Sequence, residues 1–423
     1  MLKALLVVGI MLTFSSCKQS DIQPEVSTTE MTTYTPVEST SPTYSTGTAY
    51  ATSTIFSTTT HSTSMNKPLN RKIGIATNAT DNLSYLAASK IANKTYAIIN
   101  EKWPEGYRSG QEHYINTIRL FCEVEDVDVI VLQDVNPYLG MALTKVKEIL
   151  DPKFVIFICD PYSDPMEMLK YADIVLQTDK LGMGISMSHQ AKKMGAKTFV
   201  IYTNPEGLTE DKTLDKQCDL LGEECRKIGL EFVKVALPNP LTIAGIAATK
   251  QFVLKDIPEQ VDLYGKDTAF FSPFSGVQDE ILISVIEEGA IFPLSCHPSP
   301  YIGFRNALGL EYNDYNPPAA EIVVSQIKEA LTEKQVPGRI STWPVDPDVM
   351  FVEGAYEYAL KYINGDVPKE GIDIDVLTQL MTEYAGVHVY LTPYTDDYPY
   401  SDNGTGETYE NVLMMQMDYI TFD

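Results

Sequence analysis

Asp160 and Asp164 stand four residues apart in Asp160-Pro161-Tyr162-Ser163-Asp164-Pro165. Two carboxylates so placed could share acid–base work or hold a cation, but a proline after each one marks more plainly a loop that caps a helix. A second candidate is Gly182-Met183-Gly184-Ile185-Ser186-Met187, which follows a strand-like run and opens a helix as a dinucleotide fingerprint does. It lacks the third small residue that lets the helix pack on the strand beneath a pyrophosphate, and no acid closes the next strand near Thr203. The motif therefore reads as a helix crossing between lobes. Gly265-Lys266-Asp267-Thr268 lacks the glycine spacing of a phosphate loop and reads as a turn. The acid-rich segment 393–411 carries Gly404 and Gly406, yet its acids miss the ligand positions of a regular calcium loop counted from either glycine. His61, His113, His189, His297 and His388 show no metal spacing, and neither GxSxG nor HExxH occurs. No catalytic residue, metal ligand or cofactor is assigned from these patterns.

The elements that must position any site are clearer. Short β-branched runs at 72–79, 95–103, 127–133, 153–160 and 172–179 alternate with segments of helical period. A second series follows the helix at 181–194, with strands expected at 196–204, 230–237, 267–272 and 290–296 and helices between them. After Gly338 an extended segment leads to helices over 348–364 and 374–383, then to closing strands over 387–392 and 411–422. Apolar runs separated by helices predict parallel sheets covered on both faces. The fold class is α/β, with two doubly wound, Rossmann-like lobes: 72–180 with about 339–384, and 181–338 with about 385–423. In such sheets ligands bind beyond the carboxyl ends of the strands. The candidate ligand-binding residues are therefore Asn78, Asp81, Gln133, Asp134, Asp160 and Asp179 in the first lobe. Asn204, Ser272, Phe274 and His297 serve in the second, with Trp343 where the chain returns between lobes. Amides, carboxylates and rings in that mixture suit a small polar molecule.

The chain has 423 residues and a formal charge of −25, of which −24 lies from Arg71 onward. A negative field of that size repels phosphate backbones, so nucleic acid is not an expected partner. MLKALLVVGIMLTFSSC opens with one cation, an apolar run and small residues before Cys17, as a secretion signal does. Phe14-Ser15-Ser16-Cys17 resembles the bacterial lipobox, which implies cleavage after residue 16 and lipidation of Cys17. That would anchor the protein on the outer face of the cell membrane. Residues 18–71, mostly Ser and Thr from Ser27 to Ser64, form a disordered tether with a coil span of roughly 40 Å. Cys122, Cys159, Cys218, Cys225 and Cys296 are an odd set without a CxxC, and they read as buried apolar residues.

KKMGAKTFV (192–200), YGKDTAFFS (264–272), EEGAIFP (287–293), PSP (298–300), ALG (307–309) and GRISTWP (338–344) resemble an uncharacterised family of bacterial lipoproteins. That family is a domain of unknown function grouped with type 1 periplasmic binding proteins. The resemblance covers about Lys72 to Asp423 and implies a two-lobed, receptor-like fold that captures a solute. His297 stands where relatives are expected to carry a cysteine, and the tether lies outside the resemblance.

The expected function is that of a membrane-anchored, extracytoplasmic solute-binding lipoprotein whose lobes close on a small polar ligand for an ABC permease. The expected hinges are near Leu181, Arg339 and Ala385–Gly386. The alternatives are a sensor of the same fold, a cleft hydrolase using Asp134, Asp160 or His297, and an adhesive surface protein. A transcription factor is set aside, because an export signal is present and no basic helix-turn-helix precedes Lys72.

Overall fold

The computed structural model describes the chain from residue 73 to 423, apart from residues 78–81, 96–97, 104–109, 135–137, 160–163, 206–210, 241, 243–244, 297–298, 314–316, 398 and 402–403. The segment Met1–Ser64 is a separate unit. It lies outside the described residues, as do the expected signal, Cys17 and the tether.

The first sheet is built from β1 (Ile73–Thr77), β2 (Ile98–Lys102), β3 (Val129–Asp134), β4 (Phe154–Cys159) and β5 (Ile174–Thr178), all parallel. Helices α1 (Asn82–Ala92), α2 (Gly110–Arg119) and α3 (Tyr138–Leu150) connect them. Helix α4 (Lys180–Lys193) then carries the chain to the second sheet, where β6 (Thr198–Thr203), β7 (Glu231–Ala236) and β8 (Thr268–Phe271) are parallel in the order 7-6-8. Its helices are α5 (Lys212–Lys227), α6 (Gly245–Tyr264), α7 (Gln278–Glu288), the short α8 (Phe304–Leu308) and α9 (Ala320–Glu333). The chain returns through β9 (Ser341–Thr342) to α10 (Pro347–Asn364) and α11 (Ile374–Ala385), then to β10 (Val389–Asp396), β11 (Glu407–Met417) and β12 (Ile420–Thr421). Among the described residues no helix is long and apolar enough to cross a membrane.

The α/β class and the two parallel sheets agree with the sequence reading, and one allocation does not. Residues 385–423 were expected in the second lobe. Instead β11 pairs parallel to β5, and β10 pairs antiparallel to β11, so the first sheet has the order 10-11-5-4-3-1-2. Only β12 reaches the other half, where it pairs with β9. The run 290–296 forms isolated bridges from Ile291 to Ala269 and from Phe292 to Ile340 rather than a full strand.

Residue alternation explains the layers. In β6, Phe199 and Ile201 point into a core that also holds α4, α10 and α11, while Val200 and Tyr202 point into a second core under α6, α7 and α9. A third core lies under α2 and α3. The first of these cores is continuous from Ile73 and Ile156 in one sheet to Phe271 and Ile291 in the other. Met183, Met187 and Ala191, one face of α4, lie within it. Aspartate side chains cap the helices where the chain leaves a loop. Asp179 accepts from Gly182 N–H, Asp211 from Leu214 N–H, Asp346 from Asp348 N–H and Asp373 from Val376 N–H.

Candidate functional site

β1 pairs with both β2 and β3, so the order of the first sheet reverses between β1 and β3. In the second sheet it reverses about β6. Crevices at such reversals, outside the carboxyl ends of the strands, are where a doubly wound sheet can admit a ligand. The polar atoms at and just after the carboxyl ends of the strands are distinctive. Thr77 closes β1, Thr178 closes β5 and Asn204 follows β6. Thr77 Oγ1, Thr178 Oγ1 and Asn204 Oδ1 are all buried with no hydrogen-bond partner. Trp343 Nε1, in the crossing segment after β9, is a fourth such atom. A buried polar atom without a partner costs about 1–3 kcal/mol, so each of these atoms keeps a hydrogen-bonding capacity that the fold itself does not use.

Thr178 and Trp343 meet across one cavity between the sheets, together with Lys180, Ser295 and Cys296. Its volume is about 10 Å³, room for one water-sized group. Lys180 and Trp343 are 3% and 4% exposed, so both are withdrawn from bulk water. Gln278 ties the opposite wall together: its Nε2 donates to Ser272 O at 2.9 Å, and its Oε1 accepts from Cys296 N–H at 3.3 Å. Burial pushes the Cys296 thiol up to about 12, opposed by the charge of Lys180. Thr342 Oγ1 donates to Pro300 O, and the Tyr301 hydroxyl donates to Pro344 O, which fixes the crossing strand that carries Trp343.

Three segments cross between the halves: α4, residues 342–347 and residues 417–420. The third was expected at Ala385–Gly386, but that glycine is the left-handed C-cap of α11, and the crossing lies at Asp418 and Tyr419. The crossings bind one another. The Tyr419 hydroxyl lies 2.9 Å from Ser186 Oγ, and the Trp343 and Tyr419 rings are 6.2 Å apart. An open groove of about 480 Å³ lies beside α4, lined by Ser186, His189, Lys193, Tyr390, Asp418 and Tyr419. Its polar atoms are largely engaged already: Tyr390 donates to Asp418 at 3.2 Å, and His189 Nε2 lies 2.8 Å from Glu224 Oε1.

The expected site residues fare unevenly. Asn78, Asp81, Asp160 and His297 lie outside the described residues, and Asp134 is the last residue of β3. Trp343 lines the cavity, and Asn204 ends β6 with its unpartnered oxygen. Asp179 is turned to local work instead: it caps α4 and accepts from the Tyr400 hydroxyl. Burial raises its carboxyl above the ordinary range, against the pull of Gly182 N–H and Tyr400. Ser272 likewise spends its hydroxyl within the turn, donating to Tyr202 O at 2.9 Å and accepting from Phe274 N–H at 3.2 Å. Phe274 starts the 3₁₀ turn that follows. Gln133 is buried, and its carbonyl accepts from Trp103 Nε1 at 2.6 Å, which makes Trp103 a core residue edge-on to Tyr114. Asp164 caps a 3₁₀ turn through Met166 N–H, as the proline spacing predicts. Sequence reasoning missed Thr77, Thr178, Lys180 and Cys296, although a threonine closing an otherwise apolar strand was a visible signal.

Among the described residues no group of three or more His, Cys, Asp or Glu side chains gathers as a metal site would. The glycines of the fingerprint-like motif have structural work. A Cβ on Gly182 would lie 2.0 Å from Asp179 Oδ2, and one on Gly184 would lie 2.8 Å from Gln217 O of α5. The first keeps the cap, and the second lets α4 and α5 touch.

A family model described as a protein of unknown function (DUF3798) matches residues 72–341. Two uncharacterized proteins of Treponema pallidum (strain Nichols) are similar to this chain. The first is 25% identical over 192 residues, 45% of this chain and 86% of the relative. The second is 26% identical over 143 residues, 34% of this chain and 64% of the relative. Among solved structures, a candidate transcriptional regulator from Clostridium difficile 630 is 23% identical with a TM-score of 0.74, over 83% of this chain and 99% of that one. A periplasmic ribose ABC transporter protein from Conexibacter woesei is 10% identical with a TM-score of 0.46, over 83% and 92%. The first of these structures shares the fold.

Proposed function

The chain belongs to the family of proteins of unknown function DUF3798, and on that footing we propose that it is an extracytoplasmic solute-binding protein that captures a small polar ligand between its two halves. The observation that carries this reading is the set of unpartnered buried atoms at the strand ends, Thr77 Oγ1, Thr178 Oγ1, Asn204 Oδ1 and Trp343 Nε1. Other described buried atoms, such as Asn100 Oδ1, Gln217 Nε2 and Gln326 Oε1, also lack a partner, but Thr77, Thr178 and Asn204 stand at or just after the carboxyl ends of strands, where sheets of this kind admit ligands, and Thr178 shares a cavity with Trp343. The three crossings supply the hinge on which the halves would close. The lipobox-like sequence and the Ser/Thr tether support a lipid anchor at Cys17 that holds the domain away from the membrane, with an ABC permease as recipient. A net charge of −25 speaks against nucleic acid as the ligand.

The test is a melting-temperature panel of the purified chain against sugars, nucleosides, amino acids, polyols, organic acids and amines. A ligand at 100 times its Kd adds about 2.7 kcal/mol. One chemical class raising the melting temperature is the expected result. A flat response from a folded protein across every class would remove the reading.

A further inference from the structure

The cavity between the sheets also has a chemical preference. An indole N–H can only donate, and Trp343 Nε1 has no acceptor. The Thr178 hydroxyl is likewise unpartnered, while Ser295 already spends its proton on Ile302 O at 3.2 Å. Lys180 brings a buried cation to the same lining, and no described lining residue is acidic. Two waiting donors and a cation together complement an oxygen that carries negative charge. With room for one water-sized group, the cavity takes the tip of a ligand and not its body.

We propose that the solute captured at the strand ends bears a carboxylate, one oxygen of which enters this cavity and accepts hydrogen bonds from Trp343 Nε1–H and Thr178 Oγ1–H in the field of Lys180. The assignment rests on the solute-binding reading and narrows it to organic acids. The remaining body of the ligand lies outside the cavity, toward the other strand ends.

The chain supplies its own reporter, because Trp103 and Trp343 are its two tryptophans. In Trp103→Phe the emission belongs to Trp343 alone; if that variant does not fold, the difference in emission between the parent and Trp343→Phe gives the same signal. The probes are acetate, propionate and succinate, each against its amide at fixed ionic strength. At least one acid should raise the melting temperature and alter Trp343 emission at a concentration at least tenfold below that of its amide. Lys180→Met, shown folded by its melt, should bring acid and amide to within about twofold. Equal action of acid and amide on the parent would overturn the proposal, as would stabilisation by an acid that leaves Trp343 emission unchanged. Stabilisation by sugars, polyols or amines and by no acid would overturn the carboxylate assignment while leaving solute binding in place. Silence across all classes would remove both.

Discussion

At the scale of single residues, burial sets the chemistry. Asp179 is held above the ordinary carboxylate range, chiefly by burial. The folded protein therefore binds this proton more tightly than the unfolded chain. The stability contributed is full below the usual carboxyl pKa, near 4, and is lost as pH rises through the raised value. Asp179→Asn keeps an acceptor for Gly182 N–H and has no charge to desolvate. Its melting temperature relative to the parent should climb between pH 4 and pH 7.5, and an offset that ignores pH would contradict the assignment. The cysteines follow the same rule. Burial pushes Cys122 up to about 11 and Cys218, Cys225 and Cys296 up to about 12. Cys159 is buried as well. A disulfide reagent at pH 8 should leave these thiols untouched in the folded protein and label them in denaturant. Rapid labelling without unfolding would show a cysteine more accessible than described.

Among the elements, α4 does the most. It leaves the cavity at Lys180, buries one face in the continuous core and crosses α5 at Gly184. Gly184→Ala would push a methyl group against a backbone carbonyl that cannot swing aside. It should cost about 1–3 kcal/mol in denaturant titration with an unchanged m-value. A neutral substitution would mean that the two helices are not in contact. This element was legible in the sequence as a crossing helix, and so were the βα alternations, because strands buried on both faces are apolar throughout. The run 290–296 was less legible. Pro293 within it, with Pro298 and Pro300 just beyond, removes ladder donors, so an apolar run becomes two isolated bridges. The home of β10 and β11 was not legible at all, since the choice between two sheet edges depends on partners more than 200 residues distant, such as Val175 for Val412. For the site, position was readable and role was not. Asp179 and Ser272 do follow strands, but short polar side chains there turn back onto their own loops. Thr178 and Lys180, neither of which stood out by type, line the cavity instead.

For the molecule as a whole, the charge of −25 opposes the approach of the carboxylate ligand that the cavity favours. Salt screens that repulsion, so association followed by Trp343 emission should quicken as ionic strength rises from about 0.01 M, where the screening length is about 30 Å, to about 0.15 M, where it is about 8 Å. A rate that falls with salt would indicate a cationic ligand. The measurement closest to the central claim, that polar atoms at the strand ends are kept unpartnered for a solute, is the melting temperature of Thr178→Val with and without the compound that most stabilises the parent. Valine keeps the shape and removes the buried, unsatisfied hydroxyl. The variant should melt at or above the parent when alone, by up to about 1 kcal/mol, and lose most of the ligand-induced rise. A variant that melts lower than the parent alone yet keeps the full rise would contradict the claim, because the hydroxyl would then serve the fold and not a ligand.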